Sequence, residues 1–364
     1  MTAKRPDKGY LISLFISVFA ALVLGALIIL LTGHDPIAAY AELIRGSFGS
    51  PRVLGNTMAK TVTLSITALA TAVGARAGIF NVGGEGQLFL GGMAAAMAGV
   101  LLSGLNAVIA IPLAFLAACA AGGLYALIPA LLKVKLKVNE VITTVMLNSA
   151  AIYVCVYLAN GPLKTSEKGI VAGTPAIEAS ARFFKLIPLS DLTTGIFYAA
   201  GIALLVWYVM SRTATGYEMK LTGENRRFAF FSGLPVDRIT ILAMVASGAM
   251  CGAVGMFEVY GIHGRFVESL SNGFYFDGML VAMIMRYEPM GILLMSVFFA
   301  ALKIGGSAME LNLGISSELI LVIQSIIIFF MAAESGVTAS IREKRARRAA
   351  RLRIRGEGAQ GKGI

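Results

Sequence analysis

Three polar side chains, Asn81, Glu85 and Gln87, stand among glycines 78, 83, 84, 86, 91 and 92 at the head of an apolar run. Amides and a carboxylate at this spacing can hold a polar solute by hydrogen bonds. A helix starting near Gly84 would aim free N–H groups and the positive end of its dipole at whatever lies before it. Irregular backbone at membrane depth survives only where protein or a water-filled cavity supplies partners. The alternative is a glycine-rich cytoplasmic turn in which Glu85 favours the helix N-terminus. The stretch is neither GxGxxG nor a Walker A loop, because no Gly-Lys-Ser/Thr follows, so nucleotide binding in it is not expected.

A second stretch, Ser269 to Arg286, repeats the theme with Asn272, Gly273, Asp277 and Gly278 leading into a short apolar segment. Pro289 ends that segment after about a dozen residues, fewer than a full span needs. Two short, glycine-interrupted segments at corresponding places in two halves are a mark of an inverted repeat around a central pathway. Here the first is approached from the inside and the second from the outside. Between them, Thr143, Thr144 and Asn148 lie within about two helical turns of one another. Polar groups in a span usually hydrogen-bond to neighbouring helices, and that role is favoured for these three over the alternative, contact with substrate.

A third feature is the polar inner loop 211–238. Glu224 to Phe231 reads as a short helix, with Thr222 as its cap, Gly233 at its end and Pro235 beyond. It presents Phe228, Phe231 and Leu234 beside Arg226 and Arg227. Such a row either lies on the membrane surface or docks into a groove on a partner. A helix this short is unstable alone, so something must hold it. The outer loop 161–191 holds Pro162, Pro175 and Pro188 and is too polar to span. It is a connector or a face for an extracytoplasmic partner.

The elements that must position these residues are apolar. The chain is 57% hydrophobic and 14% charged, against about 45–50% and about 25% in soluble domains. A soluble core cannot absorb that much apolar surface. Spans of the length that crosses a hydrocarbon core are expected at 10–31, 54–75, 84–102, 107–132, 140–159, 192–211, 238–259, 274–287, 290–304 and 316–334. The first is too long for a signal-peptide core and is read as retained. With the N-terminus inside, 22 of the 31 Lys and Arg fall on the inner side, the positive-inside pattern. Lys60 and Lys303 are placed outside or near the outer ends. The acidic residues split evenly. The basic tail 341–364 is expected to lie on anionic lipid of the bilayer rather than on nucleic acid. Cys119, Cys155 and Cys251 sit singly in apolar runs and read as small buried hydrophobes. His34 and His263 lie in separate loops, so no metal cluster is expected. The intramembrane acids are few, and no charge ladder suggests an ion relay.

Four pieces carry a resemblance. They are Gly78-Ile-Phe-Asn-Val-Gly-Gly-Glu-Gly-Gln-Leu, Asn139-Glu-Val-Ile-Thr-Thr-Val-Met-Leu-Asn148, Gly223-Glu-Asn-Arg-Arg-Phe-Ala-Phe-Phe-Ser-Gly233, and Gly261-Ile-His-Gly-Arg-Phe through Phe276-Asp-Gly. Together they make the chain resemble the permeases of bacterial ABC importers for purine nucleosides, in the superfamily of the ribose and branched-chain amino-acid permeases, over about residues 10–335. The third piece departs from the family pattern, which has an alanine pair where Phe228-Ala229 stand. The spans and the two short segments read as an all-α polytopic membrane protein of about ten transmembrane helices in a 5+5 inverted repeat, and the resemblance makes 1–340 a permease domain. It implies a second related permease, cytoplasmic ABC ATPases that bind the ATP, and a substrate-binding lipoprotein or periplasmic receptor. Residues 226–234 become the coupling helix, with Arg226, Arg227, Phe228, Phe230, Phe231, Gly233 and Leu234 as ATPase contacts. Asn81, Glu85, Gln87, Asn148, Asn272 and Asp277 line or support the substrate pathway.

The function expected is import of a nucleoside by alternating access, in a bacterial cell membrane, with both termini cytoplasmic. A simple sugar, a riboflavin-like compound or an amino acid is the alternative cargo. An ion-coupled carrier would need an ionisable relay in the spans. A membrane enzyme would need clustered His, Asp or nucleophilic groups, and none is evident, so neither catalysis nor a cofactor of the chain's own is expected.

Overall fold

The structure, a computed structural model, describes residues 8–165, 173–327 and 329–330. The basic tail and the last part of the expected tenth span lie outside these. Thirteen helices follow in order: α1 (Lys8–Leu31), α2 (Pro36–Phe48), α3 (Pro51–Arg76), α4 (Gly84–Leu101), α5 (Ala107–Leu136), α6 (Glu140–Asn160), α7 (Gly195–Arg212), α8 (Ala214–Glu224), α9 (Arg226–Phe231), α10 (Val236–Glu258), α11 (Phe274–Ile284), α12 (Pro289–Leu313) and α13 (Glu318–Ile327). No strand occurs among the described residues, only two isolated bridges. The protein is an all-α polytopic membrane protein.

Caps explain several starts. Ser50 accepts from Val53 N with Pro51 in the first turn, Asn106 accepts from Val108 N, and Asn139 accepts from Val141 N. Among the described residues six helices are long and apolar enough to cross a bilayer: α3, α5, α6, α7, α10 continued by a π-turn to His263, and α12. A seventh follows if α1 and α2, bent by 119°, count as one. This is fewer than the ten spans expected. The expected span at 84–102 is α4, whose polar first turn and glycines lower its hydropathy. The expected span at 274–287 is α11, only 11 residues long, or about 16 Å, half a bilayer. It stops because Arg286 and Tyr287 adopt left-handed backbone (φ 50° and 61°) just ahead of Pro289.

The described chain forms two compact units. One comprises residues Leu43–Ala308, and the other the described residues before and after it. In the smaller, the Tyr40 hydroxyl donates to Leu22 O at 2.6 Å, and Ile323 packs on Gly25. In the larger, α10, α3 and α4 are largely enclosed, and α5, α6 and α7 are peripheral. The helix α4 lies against α10 with almost no side chain between them. A Cβ on Gly91 would collide with the backbone of Gly252. Small residues at a helix interface let backbones touch and recover packing energy that lipid does not supply. That contact is why a polar, glycine-rich helix is stable inside a membrane bundle.

The outer loop is folded where described. Thr174 N donates to Phe266 O at 3.1 Å, and Ile177 N donates to Gly264 O at 2.9 Å. The loop therefore packs along the segment that leaves α10, fixing how the chain approaches α11.

Candidate functional site

The starts of α4 and α11 meet. The Glu85 carboxylate accepts from Gly273 N at 3.1 Å, from Tyr275 N at 3.0 Å and from the Ser271 hydroxyl. A side chain in the first turn of one short helix thus caps the first turn of the other, where free N–H groups and the helix dipole favour a negative charge. The Tyr275 hydroxyl returns the bond by donating to Asn81 O. Gly84 is needed here because a Cβ would overlap the Tyr275 ring.

Around this junction the amides satisfy one another. Asn81 Nδ2 donates to Gln87 Oε1 at 2.8 Å, and Gln87 Nε2 donates to Asn81 Oδ1 at 3.1 Å. Asn81 Nδ2 also reaches Ser247 Oγ on α10 at 3.0 Å, and Gly83 N donates to Asn81 Oδ1 at 3.2 Å. Asn148 on α6 accepts from Gly86 N, and Thr144 accepts from Val82 N at 3.2 Å. The irregular chain between α3 and α4 is thus held by side chains of α6, α10 and α11. The expected structural role of Thr144 is what the geometry gives, while Thr143 bonds back to Asn139 O and Glu140 O. Asn272 is exposed just before α11. Asp277 is buried one turn into α11 and pairs with Lys303 on α12.

Sequence reasoning missed the charges. Lys60 lies inside α3 and Lys303 inside α12, not at the ends of spans. Both ammonium groups face the Phe274 ring, with Glu258 at the end of α10 beside Lys60 and Asp277 beside Lys303. The sequence shows few intramembrane acids and no charge ladder, and the structure adds that two lysines and two carboxylates from four helices gather at one place. Counting lysines toward the outer side hid the fact that helices α3 and α12 carry them to the same place. A charged residue well inside an apolar helix was the available signal.

The inner loop also differs from the expected single helix over 224–231. It forms two helices, α8 and α9, broken at Asn225, whose backbone is extended. Asn225, not Thr222, is the cap, accepting from Phe228 N at 3.0 Å. Thr222 is buried within α8. Gly233 ends the segment as expected, with left-handed backbone (φ 81°) and Leu234 N returning to Ala229 O at 3.1 Å. Arg226 is tied to Asp237 at 3.0 Å and to Thr240 at 3.2 Å, so it anchors α9 to α10. Arg227, Phe228, Phe230 and Phe231 face out, and Phe231 is 85% exposed. Leu234 packs inward on a cluster containing Ala77, Ile79, Met219 and Ile239.

One contact joins this segment to the junction above. Gly223, at the end of α8, lies against Gly78, at the start of the α3–α4 turn. A Cβ on Gly78 would stand 3.1 Å from Gly223 Cα, and a Cβ on Gly223 would strike Arg76 O. On the same turn, Arg76 bridges to Glu288 at 3.0 Å and to Tyr287 O at 3.2 Å, fixing the far end of α11.

An apolar cleft of about 700 Å³ lies between α5, α7 and α10, lined by Phe115, Ile202 and Met250 among others. Its lining suits acyl chains, not a polar solute. Cys155 and Cys251 are buried and free, and Cys119 is half-buried and free. No group of His, Cys, Asp and Glu fit to hold a metal occurs among the described residues.

A helical membrane bundle with two short, polar helices meeting start to start and an outward-facing aromatic helix on one loop is the architecture these residues build. The chain belongs to the family described as branched-chain amino acid transport system / permease component, whose profile matches residues 53–332. It is 32% identical to the guanosine ABC transporter permease NupP of Bacillus subtilis, over 90% of this chain and 95% of that protein. It is also 32% identical to a glucose ABC transporter permease of Haloferax volcanii, over 87% of this chain and 85% of that protein. The nucleoside ABC transporter permease NupB of Lactococcus lactis is 31% identical, over 88% and 90%. A second Bacillus subtilis permease of guanosine, NupQ, matches more distantly, at 24% over 70% and 82%. No solved structure matches the chain. The protein is therefore a permease subunit of an ABC transport system.

Proposed function

We propose that this permease imports a nucleoside, as one of two related membrane subunits driven by cytoplasmic ATPases and supplied by an extracytoplasmic receptor. The observation that carries the reading is the near full-length likeness to NupP, a guanosine permease. That a second guanosine permease of the same organism matches more weakly supports pairing with a different, related chain. The positive-inside bias supports an orientation with both termini and α9 in the cytoplasm. In that orientation the exposed face of α9 docks in an ATPase groove, and the Gly78–Gly223 contact passes its displacement to the α4–α11 junction. The meeting of two short helices at that junction is what a 5+5 inverted repeat would produce. The chain makes and breaks no covalent bond of its cargo, and ATP is bound by its partners.

The likeness to a glucose permease favours a sugar as the second reading. The test is uptake by proteoliposomes holding the complete transporter and its receptor. ATP-dependent accumulation of radiolabelled guanosine, competed by inosine and not by glucose, is expected. Accumulation of glucose alone would establish the second reading. Uptake that needs no ATPase and collapses with an uncoupler would make the protein an ion-driven carrier.

A further inference from the structure

Lys60 lies nine residues after the start of α3, and Lys303 lies ten residues before the end of α12. Both are therefore about 14 Å or more from either end of their helices. Charge at such depth is costly and marks function by default. The Lys60 ammonium sits 3.5 Å from the centroid of the Phe274 ring, and that of Lys303 sits 5.6 Å from it. Lys303 is matched by Asp277. Lys60 is not matched in the same way. Glu258 stands 4.0 Å from it, beyond hydrogen-bond reach, and already accepts the Thr63 hydroxyl at 2.6 Å. Lys60 has no hydrogen-bond acceptor among the described residues.

An ammonium carries three donors. Unpaired donors at this depth call for an acceptor from outside the chain, and the Lys60 side chain keeps 15% of its surface accessible to one. Beside it lies the Phe274 ring, whose face the ammonium covers at 3.5 Å. Lys60 and Lys303 stand against Glu258 and Asp277, so the cluster carries both signs of charge. Unused N–H donors over a π face are the complement of a planar, oxygen-bearing solute whose acceptor draws the ammonium off the ring. An ion-pair network with only a structural role would have satisfied Lys60 as it has satisfied Lys303.

We infer that Lys60 and Phe274 form a transit site inside the membrane, where one of the cargo's oxygen or nitrogen acceptors takes the Lys60 ammonium in exchange for its contact with the Phe274 ring, and the cargo's ring then meets the face so uncovered. The inference rests on the nucleoside reading and names where in this chain such a cargo is felt.

The test uses the complete transporter in proteoliposomes. Guanosine and four analogues are compared: 2′-deoxy, 3′-deoxy, 7-deaza and the 6-deoxy compound that lacks the base carbonyl. The receptor sets apparent affinity, so the readout is maximal rate and solute moved per ATP. Lys60→Met is expected to lower the guanosine rate at least tenfold, with assembly and receptor-stimulated ATP hydrolysis retained. In the wild type one analogue is carried more slowly than guanosine, and Lys60→Met is expected to abolish that difference. Lys60→Arg restores part of both, and Phe274→Leu lowers the rate without restoring the missing discrimination. Equal discrimination among analogues in wild type and Lys60→Met overturns the inference, as does a rate that falls only in step with assembled complex. If the wild type carries glucose and no nucleoside, the nucleoside reading fails by itself. The site is then judged with glucose and its deoxy analogues by the same comparison.

Discussion

Glu85 caps the backbone N–H groups of Gly273 and Tyr275, 188 and 190 positions away in sequence, at 3.1 and 3.0 Å. Hydrogen bonds to an ionised group contribute about 1.5–3 kcal/mol each, roughly twice a neutral pair. Glu85→Gln keeps the shape and removes the charge, and Glu85→Ala leaves two N–H groups without their acceptor. Both are expected to lower the melting temperature of the detergent-solubilised complex, Glu85→Ala the more, with transport lost in both. An unchanged melting temperature in Glu85→Ala would show that the junction is not held this way.

The Asn81–Gln87 amide pair predicts a non-additive result. Asn81→Ala strips Gln87 of both amide partners and Gly83 N of its acceptor. Leaving a buried polar group unpaired costs about 1–3 kcal/mol. Replacing both by apolar groups, in Asn81→Leu with Gln87→Leu, is expected to recover part of the loss seen in either single variant. A double-mutant cycle on thermal stability measures the coupling. Strict additivity would mean the two amides act apart.

Phe231 is 85% exposed and supports nothing inside the bundle. Phe231→Asp is expected to leave the melting temperature of the isolated permease within about 1 °C, since surface changes are usually within about 0.5 kcal/mol. The same change is expected to abolish co-purification of the ATPase subunit. Retained co-purification with full transport would remove α9 from the coupling interface.

Gly233 has left-handed backbone and open space around the position of a Cβ. A side chain there is resisted by backbone strain of about 1–2 kcal/mol, not by a clash. Gly233→Val is expected to reorient the turn after α9 so that ATP hydrolysis persists while uptake falls. Gly233→Asn, which tolerates this conformation, is expected to keep uptake near wild type. The ratio of solute moved to ATP hydrolysed separates the two. Normal uptake in Gly233→Val would remove the turn from the coupling path.

Much of this was legible in the sequence, and the rest was hidden for definite reasons. Uninterrupted apolar length gave α3, α5, α6, α7, α10 and α12 close to their observed positions. The glycines and polar groups around Glu85 and Asp277 marked the two short helices as unusual. Composition could not show that these helices touch start to start, because the pairing joins residues nearly two hundred positions apart. The break at Asn225 was hidden because Gly216 and Gly223 disguise α8 as loop and Thr222 is itself a capping residue type, which put the cap three residues early; only the extended backbone of one residue separates α8 from α9. The charged cluster was concealed by counting: a lysine assigned to a side of the membrane was not asked what it faces. Two glycines meeting across the α3–α4 turn leave no sequence trace beyond being glycine.

The break at Asn225 has a mechanical meaning. The helix α9 is a piece of six residues, tied to α10 through Arg226 and Asp237 and joined to α8 by one extended residue, so it is not the end of a continuous rod. In the coupling role proposed above, a push on its exposed face would tip it as a rocker about the Arg226 anchor and press the end of α8 on the α3–α4 turn. The two meet there by the bare backbone contact of Gly223 on Gly78. With no side chain to compress at that contact, little of such a stroke would be absorbed before the turn that leads to Glu85.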